Sequence, residues 1–285
     1  MAQHAIDPGE FRDTQRTQWN TAASGWRKWS ELIDRGIGEI SERLVELAGV
    51  EPGSKVLDVA AGYGEPSLSA ARRAGADGRV TATDISAQML AFGRERAENA
   101  GLDNIDFIES DVISLDFPES SFDAALSRFG IIFEPDGEAA AAHVRSLLKP
   151  GARMAISSWG EPEQVPMLAI PMKTAMQRLE VPPPPPGTPG PLSRPTPEAI
   201  SALLEGGGFS EVAVEQRDLE LEWESPEEFT TFVREIAPPV RAMIDPHPED
   251  VQDETWEAIT EAAREAAGDG PITLTNRVLM AAGRA

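Results

Sequence analysis

The chain has 285 residues, of which 41% are hydrophobic and 26% charged, a composition typical of a globular protein with a sizeable core. It contains no cysteine, which excludes disulfides, thiolate nucleophiles and cysteine-bound zinc. Its 48 acidic residues outnumber 25 basic ones and leave a net charge of −23, which disfavours nucleic acid as a partner. Because the sequence shows neither a long apolar run nor a signal-like start, we expect a cytoplasmic protein that is not integral to the membrane.

The predicted elements begin with an N-terminal helical cap over 1–37, followed by a core over 38–160 in which strands and helices alternate. The predicted strands cover 55–60, 79–84, 104–110, 121–129 and, after a turn at 149–151, 152–159; helices are predicted over 66–75, 86–101 and 138–148. Short β-branched runs separated by helices of this length indicate an α/β protein with a doubly wound, mostly parallel sheet. Ligands of such sheets bind at the carboxyl ends of the strands.

The alternation stops after residue 160. We interpret 161–200 as a Met/Pro-rich lid segment, because a helical stretch over 165–180 is followed by five consecutive prolines. Residues 201–285 are expected to complete the sheet, with strands over 211–223 and 272–284 separated by an acidic helical insertion at 225–268. The sequence therefore predicts a Rossmann-like, seven-stranded sheet whose last strand is antiparallel, with helical lid elements.

A glycine-containing loop joins the first strand to a helix, and its charge indicates what it can bind. Gly62 and Gly64 permit close approach of a ligand, but Ser67 stands where a nicotinamide-binding motif needs a third glycine. Asp58 and Glu65 flank the loop, and no basic residue lies between positions 55 and 72. This acidity disfavours a pyrophosphate and favours a cationic cofactor, of which S-adenosylmethionine, with its sulfonium and ammonium, is an example.

Two acidic residues at strand ends suit the nucleoside part of such a cofactor. Asp84 ends the second strand, where a ribose-binding carboxylate belongs in this architecture; its alternative role is a helix cap, although Ser86 can serve there. Asp111 and Val112 follow the third strand and suit the adenine amino group. Met89 can cover the adenine face, although a helical Met is more often part of the core.

Four segments carry a family resemblance, namely VLDVAAGYGEPSL, VTATDISAQMLAFGRE, DFIESDVISLDFPESSFDAALSRFGIIF and RSLLKPGARMAISSW. In this order they resemble the cofactor-binding motifs of class I S-adenosylmethionine-dependent methyltransferases, particularly the ubiquinone/menaquinone type. The resemblance covers roughly residues 38 to 160 and implies an enzyme with this cofactor. The cofactor-binding residues expected from the motifs and the strand ends are Asp58, Ala60, Gly62, Gly64, Asp84, Ile85, Met89, Asp111, Val112 and Ser127.

The sequence does not single out a catalytic base, and methyl transfer does not require one because it depends chiefly on alignment and exclusion of water. His143 and His247 are weak candidates, since a helix-face position and a loop position already explain them without a catalytic role; His4 is the third histidine. Arg128 ends the fourth strand and is suited to bind the cofactor carboxylate or an anionic acceptor, with a surface ion pair as the alternative. No metal site is expected.

Apolar residues suggest where an acceptor would lie. The candidates are Trp26, Trp29, Arg128, Phe129 and Met167, with core packing as the alternative for the apolar ones. They favour a hydrophobic or aromatic small molecule, methylated at carbon or oxygen. Two other hypotheses stay open, namely a nicotinamide-dependent oxidoreductase and a non-catalytic nucleotide-binding scaffold protein; a homodimer is also possible.

Overall fold

The computed structural model describes residues 7–185 and 187–285, so His4 lies outside the described residues. The strands are β1 (Lys55–Val59), β2 (Arg79–Asp84), β3 (Ile105–Glu109), β4 (Phe122–Arg128), β5 (Leu148–Trp159), β6 (Ser210–Trp223) and β7 (Ile272–Arg284). The α-helices are α1 (Pro8–Lys28), α2 (Ser30–Leu47), α3 (Ser67–Ala74), α4 (Ala87–Asn99), α5 (Gly137–Leu147), α6 (Pro166–Arg178), α7 (Pro197–Gly206), α8 (Pro226–Ile236), α9 (Pro238–Ile244) and α10 (Glu249–Ala267). Two helical segments that sequence reasoning predicted, at 225–268 and 165–180, are therefore present.

The strands form one seven-stranded sheet in the order β3-β2-β1-β4-β5-β7-β6. All pairs from β3 to β5 are parallel, whereas β7 runs antiparallel to both of its neighbours. The predicted fold class, including the antiparallel last strand, is confirmed. The strand order reverses between β1 and β4, and a crevice for a ligand forms at the carboxyl ends of strands at such a reversal.

Apolar side chains pack on both faces of the sheet, because successive residues of a strand point in opposite directions. Val56 of β1 belongs to a cluster with α2 and the helical insertion, and the next residue, Leu57, belongs to a second cluster with α5 and α7. Leu44 of α2 and Leu203 of α7 are both fully buried. The sheet is thus covered on both faces, and its carboxyl edge is left for a ligand.

Two boundaries differ from the sequence expectations. The turn expected at 149–151 lies inside β5, which already begins at Leu148 and pairs with β4 on either side of a register shift. Gly151, with φ of 82°, lets the strand bulge there rather than end. Helix α2 runs without interruption through residue 37, so that domain boundary falls within a helix whose Ile33, Ile37 and Ile40 are all buried.

The described helices also bear on membrane insertion. None of those within 7–185 and 187–285 is both long enough and apolar enough to cross a bilayer.

Candidate functional site

A cavity opens over the carboxyl ends of β1, β2 and β4, at the reversal of strand order. Its floor comes from 59–63, 83–85 and 128–131, and its roof from α1 through Phe11, Arg12, Gln15, Trp19 and Trp26; the far wall comes from Trp159, Met167, Leu168, Met172 and the segment 236–240. The sequence-predicted residues that line this cavity are Trp26, Ala60, Gly62, Asp84, Ile85, Met89, Val112, Arg128, Phe129 and Met167. Ten predicted residues from distant parts of the chain thus meet at one site.

The glycine loop contains backbone conformations that residues other than glycine rarely adopt. Gly62 and Gly64 have φ of 53° and 104°, in the left-handed region. A Cβ added at Gly64 would lie 2.4 Å from the Leu68 side chain and 3.3 Å from the Gly93 backbone, so the loop also needs glycine for space. Ala60 has φ of 56°, and a Cβ added at Gly130 would lie 2.4 Å from its Cβ. The methyl of Ala60 is therefore accommodated because Gly130 faces it.

Asp84 holds the loop and also faces the cavity. Its Oδ2 accepts a hydrogen bond from the Gly62 backbone N–H at 2.8 Å, and its Oδ1 accepts one from the Ser86 N–H at 2.8 Å. Burial raises the pKa of Asp84 to about 6, despite these two donors. Ser86, rather than Asp84, caps α4, since its Oγ accepts from the Met89 N–H. Each oxygen of Asp84 keeps a lone pair for a ligand hydroxyl.

Four residues predicted to bind the cofactor do not line the cavity. Asp58 is buried beneath the loop, where its Oδ2 accepts from the Ser67 hydroxyl while Oδ1 has no partner among the described residues, and burial raises its pKa to about 7. Both carboxylate oxygens of Asp111 accept hydrogen bonds from Ser114, at 3.0 Å each. The Ser127 hydroxyl accepts from the Ile131 N–H at 2.9 Å. These three side chains, together with Gly64, support the backbone around the cavity.

Arg128 is buried rather than exposed, so the surface ion pair considered from the sequence is wrong. Its side chain lines the cavity and is 7% exposed. Its guanidinium donates to the Ser41 hydroxyl at 3.0 Å and to the Tyr63 hydroxyl at 2.9 Å. The Tyr63 hydroxyl in turn donates to Asp34, which also pairs with Arg96. A chain of polar contacts thus runs from the cavity to α2 and α4.

The two candidate histidines and one candidate tryptophan lie elsewhere. His143 is on α5, where its Nε2 lies 3.0 Å from the Leu115 carbonyl oxygen, and His247 follows α9 in the turn before α10. Trp29 packs edge-on against Phe232 with its ring centroid 5.6 Å away, and its indole donates to Glu235. Helical periodicity places a residue on an element, but it does not decide whether its face meets the cavity or a neighbouring helix.

An aromatic pair forms the wall beside the end of β4. Phe129 has φ of 57°, its N–H donates to the Ser157 hydroxyl at 3.1 Å, and its ring stacks on Trp159 with centroids 4.3 Å apart. A non-glycine residue in this left-handed backbone region costs conformational energy, and residues of this kind cluster at functional sites. Met167 adds an apolar, adaptable surface next to this pair.

Several cavity residues were missed by sequence reasoning. Tyr63 and Glu65 lie within the glycine loop, whose charge was noted without a role for either side chain in a ligand contact. Glu134 follows β4 by a single short turn, and burial raises its pKa to about 7. The position of Glu134 shortly after the end of β4 was the signal in the sequence that could have identified it. In the part of the chain that the structure describes, no three metal-ligating side chains cluster.

The strand order, the antiparallel seventh strand, the glycine loop and the acid at the end of β2 define the fold of class I methyltransferases. Residues 56–151 match the model of the methyltransferase domain family, and this part of the chain belongs to that family. The match spans β1 to the beginning of β5, and it therefore includes the floor of the cavity but not its helical roof and far wall.

Curated relatives and solved structures agree with this assignment. The chain is 34% identical over 146 residues to the ubiquinone/menaquinone biosynthesis C-methyltransferase of Cellvibrio japonicus, covering 50% of this chain and 59% of the relative. The same enzyme of Teredinibacter turnerae is 31% identical over 147 residues, covering 51% and 59%. These matches thus span less than two thirds of the relatives' length. Phosphoethanolamine N-methyltransferase 2 of Haemonchus contortus shares the fold, with a TM-score of 0.59 and 18% identity over 96% of this chain and 59% of that one.

Proposed function

We propose that the protein is an S-adenosylmethionine-dependent methyltransferase acting on carbon or oxygen of a small hydrophobic or aromatic acceptor. The observation that carries this proposal is Asp84, a buried carboxylate that faces a cavity between a glycine loop without basic residues and an apolar wall. Its free lone pairs suit the two ribose hydroxyls of an adenosyl group. Ile85, Met89 and Val112 supply the apolar surface that an adenine ring needs.

The residues present fit this cofactor better than a dinucleotide. S-adenosylmethionine supplies a methyl group on a sulfonium, and Glu65 and Asp84 place negative charge along the glycine loop, which suits a cation there. The backbone N–H of Gly62, which a pyrophosphate would need, is already bonded to Asp84. These contacts, with Ser67 in place of a third glycine, argue against the nicotinamide-dependent alternative.

The acceptor side of the cavity works by alignment and exclusion of water. Phe129, Trp159 and Met167 form an apolar wall next to the end of β4, and Trp26 of α1 closes it from above. Methyl transfer needs the acceptor atom in line with the methyl group, which a rigid apolar wall can enforce. Among the described residues that line the cavity there is no histidine; burial raises the pKa of Glu134 to about 7, but its charged neighbours are Arg12 and Asp111, on the side proposed for the adenine.

The role of each segment of the chain, the cellular location and the oligomeric state are part of the same proposal. We assign cofactor binding to 38–160 and acceptor enclosure to 1–37, 161–200 and the insertion at 225–268, because the roof and far wall of the cavity come from these segments. A cytoplasmic location and a homodimer complete the proposal. The support for a dimer is the free edge of β3, near which Ile108 and Ile113 are exposed; light scattering in solution tests it.

Calorimetric titration with S-adenosylmethionine, S-adenosylhomocysteine and NAD tests the proposed cofactor. We expect both adenosyl ligands to bind and NAD not to bind. Asp84→Ala removes hydrogen bonds to a charged acceptor and should weaken adenosyl binding by roughly 10- to 100-fold, whereas Asp77→Ala, an exposed carboxylate, serves as the matched control. Binding of NAD alone would overturn the proposal, and a folded Asp84→Ala protein with unchanged affinity would overturn the assignment of Asp84.

Turnover on a panel of quinols and phenols then tests catalysis. Methylated product identified by mass spectrometry distinguishes carbon from oxygen transfer. Cofactor binding without product on any acceptor would favour the non-catalytic scaffold instead.

A further inference from the structure

A second cavity, of about 620 Å³, lies between the junction of α1 and α2 and the end of β6, the last strand of the sheet. We call it the edge groove; it is lined by Lys28, Trp29, Glu31, Leu32, Arg35, Gly36, residues 220–224, Glu228 and Pro271. Residues 220–224 all line it although their side chains alternate between the two faces of the sheet, so the groove lies at the edge of the strand. None of its residues lines the cavity proposed for cofactor and acceptor.

The backbone of β6 has unpaired hydrogen-bonding groups along this groove. The Arg277 carbonyl accepts a hydrogen bond from the residue after β5, so the odd-numbered residues of β7 face β5 and the even-numbered ones face β6. The register pairs Ile272 with Trp223, so the odd-numbered residues of β6 face β7. The N–H and C=O of Glu220 and Glu222 therefore point outward, where no strand within 7–185 and 187–285 pairs with them. An edge of this kind can accept an added strand.

The charge of the edge groove indicates what kind of strand it accepts. Five glutamates line it against one lysine and one arginine, a formal excess of three negative charges. Lys28 already pairs with Glu235 at 2.8 Å, whereas none of the five glutamates has a basic nitrogen within 4.0 Å among the described residues. They are Glu31, Glu220, Glu222, Glu224 and Glu228. This charge repels a second copy of a chain whose net charge is −23, and it attracts a basic segment.

The two sides of the edge suit different side chains. Glu220 and Glu222 are exposed, whereas Leu221 and Trp223 are buried on the face that packs against α2 and α8. Side chains of an added strand lie beside those of β6 on the same face, with Cβ atoms about 4.5–5.5 Å apart. The buried indole N–H of Trp223 also lacks an acceptor among the described residues, and a carbonyl of a docked chain can supply one. A segment of alternating basic and apolar residues therefore matches the edge.

We propose that the edge groove binds an extended basic segment of another protein, which adds to β6 as a further strand of the sheet. Its basic side chains lie beside Glu220 and Glu222, and its apolar side chains lie beside Leu221 and Trp223. In this mode of recognition, main-chain hydrogen bonds supply affinity and alternate side chains supply specificity.

Titration calorimetry with a blocked heptapeptide of alternating lysine and valine tests the proposal. Two N-methylated versions of this peptide, one methylated at the valines and one at the lysines, each lose the N–H donors along one edge but keep every side chain and charge. Since only one edge of an added strand pairs with β6, we expect one version to bind at least about tenfold more weakly and the other to bind like the parent peptide.

Paired glutamate variants locate the binding site. Glu220→Gln combined with Glu222→Gln removes two exposed carboxylates of the groove and should weaken the parent peptide by at least about tenfold. Glu257→Gln combined with Glu265→Gln removes the same charge from the exposed surface of α10 and should change the affinity less than about twofold. Both pairs of substitutions are on the surface, so we expect both variants to fold.

Four results would overturn the proposal. They are no binding of the parent peptide, equal binding of both N-methylated versions and the parent, equal losses in the two glutamate variants, and displacement of the peptide by spermidine at equal concentration. The second and third would assign binding to net charge alone, and the last would assign the groove to a small polycation. None of these measurements uses an adenosyl ligand, so their failure is separate from a failure of the proposed methyltransferase function.

Discussion

The ionisation of Asp84 should control the affinity for an adenosyl ligand. Burial raises its pKa to about 6, so the carboxylate takes up a proton within an accessible pH range. Ribose hydroxyls donate to the ionised form, and binding below this pKa must therefore expel a proton. We expect the affinity for S-adenosylhomocysteine to be constant above about pH 7 and to fall roughly tenfold per unit well below pH 6.

Titration calorimetry from pH 5 to pH 8 measures this dependence. Asp84→Asn cannot ionise, so its weaker binding should change little over the same range. Exposed Asp77→Asn is the control, and its pH profile should follow that of the unmodified protein. A flat profile for the unmodified protein would mean that no ligand hydroxyl depends on Asp84.

At the scale of residues, strand ends made part of the site predictable. Asp84 and Arg128 end the two parallel strands on either side of β1, and the carboxyl ends of parallel strands meet at one edge of the sheet, so both could be placed there from the sequence. The direction of a side chain was harder to predict. Ser127 points into the fold although Arg128, the next residue, points toward the cavity, because side chains alternate along a strand. Among the described residues, Arg128 bonds to Ser41 and Tyr63 and to no carboxylate. This arrangement depends on how α2 and α4 pack, which the sequence does not reveal.

At the scale of elements, α1 is fixed over the cavity by its contacts with α4 and α8. The indole of Trp26 donates to the Ile236 carbonyl at 3.1 Å, Arg27 pairs with Glu95 of α4 at 2.6 Å, and Lys28 pairs with Glu235 of α8 at 2.8 Å. Gly25 makes the close approach to α8 possible, since an added Cβ would lie 2.2 Å from the Glu235 carbonyl oxygen. The position of α1 over the cavity therefore depends on the absence of a side chain at Gly25.

Two glycine-to-alanine variants test that dependence. Gly25→Ala must push α1 away from α8, and we expect it to destabilise the protein by about 1–3 kcal/mol and to weaken adenosyl binding. Gly38→Ala, in the interior of α2 with no atom within 4 Å of the added Cβ, should instead stabilise by about 0.5–1 kcal/mol and leave binding unchanged. Urea unfolding and ligand titration of both variants measure these effects. Destabilisation of equal size at both positions would contradict the proposed role of Gly25.

The helices and strands themselves were more predictable than the elements against which each of them packs or pairs. Short β-branched runs located the strands, including β7, and the longer segments between these runs located the helices of the core. The bulge in β5 was not predictable, since Lys149-Pro150-Gly151 has the composition of a turn whether the chain ends a strand there or continues it. Pairing with β7 begins only at Arg153, but the Gly151 N–H donates to the Ala285 carbonyl at 3.1 Å, next to the end of β7.

At the scale of the molecule, the acidic insertion is held by an aromatic cluster rather than by its charges. The ring of Trp223, at the end of β6, lies 4.9 Å from that of Phe229 and 5.3 Å from that of Phe232, and Trp256 of α10 is buried in the same cluster. From the sequence, the insertion was predicted to be acidic and helical, without these aromatic contacts. Three aromatic residues of the insertion, Phe229, Phe232 and Trp256, join Trp223 of β6 in the core only when β6, α8 and α10 fold against each other, so the insertion packs on the sheet.

The net charge of −23 should make stability depend on salt. Isolated ion pairs on the surface contribute only about 0–1 kcal/mol each, whereas the excess of like charge repels across the whole molecule. Salt shortens the Debye length from about 10 Å at 0.1 M to about 3 Å at 1 M and weakens that repulsion. We expect the melting temperature at pH 7.5 to rise by roughly 2 °C, on the order of 1 kcal/mol, between 0.02 and 0.5 M NaCl. Differential scanning calorimetry measures it, and the gain should shrink as the pH approaches the isoelectric point near 4.5, where the net charge vanishes. A melting temperature that falls with salt would show instead that attractive pairs, such as Arg43 with Glu215, outweigh the repulsion.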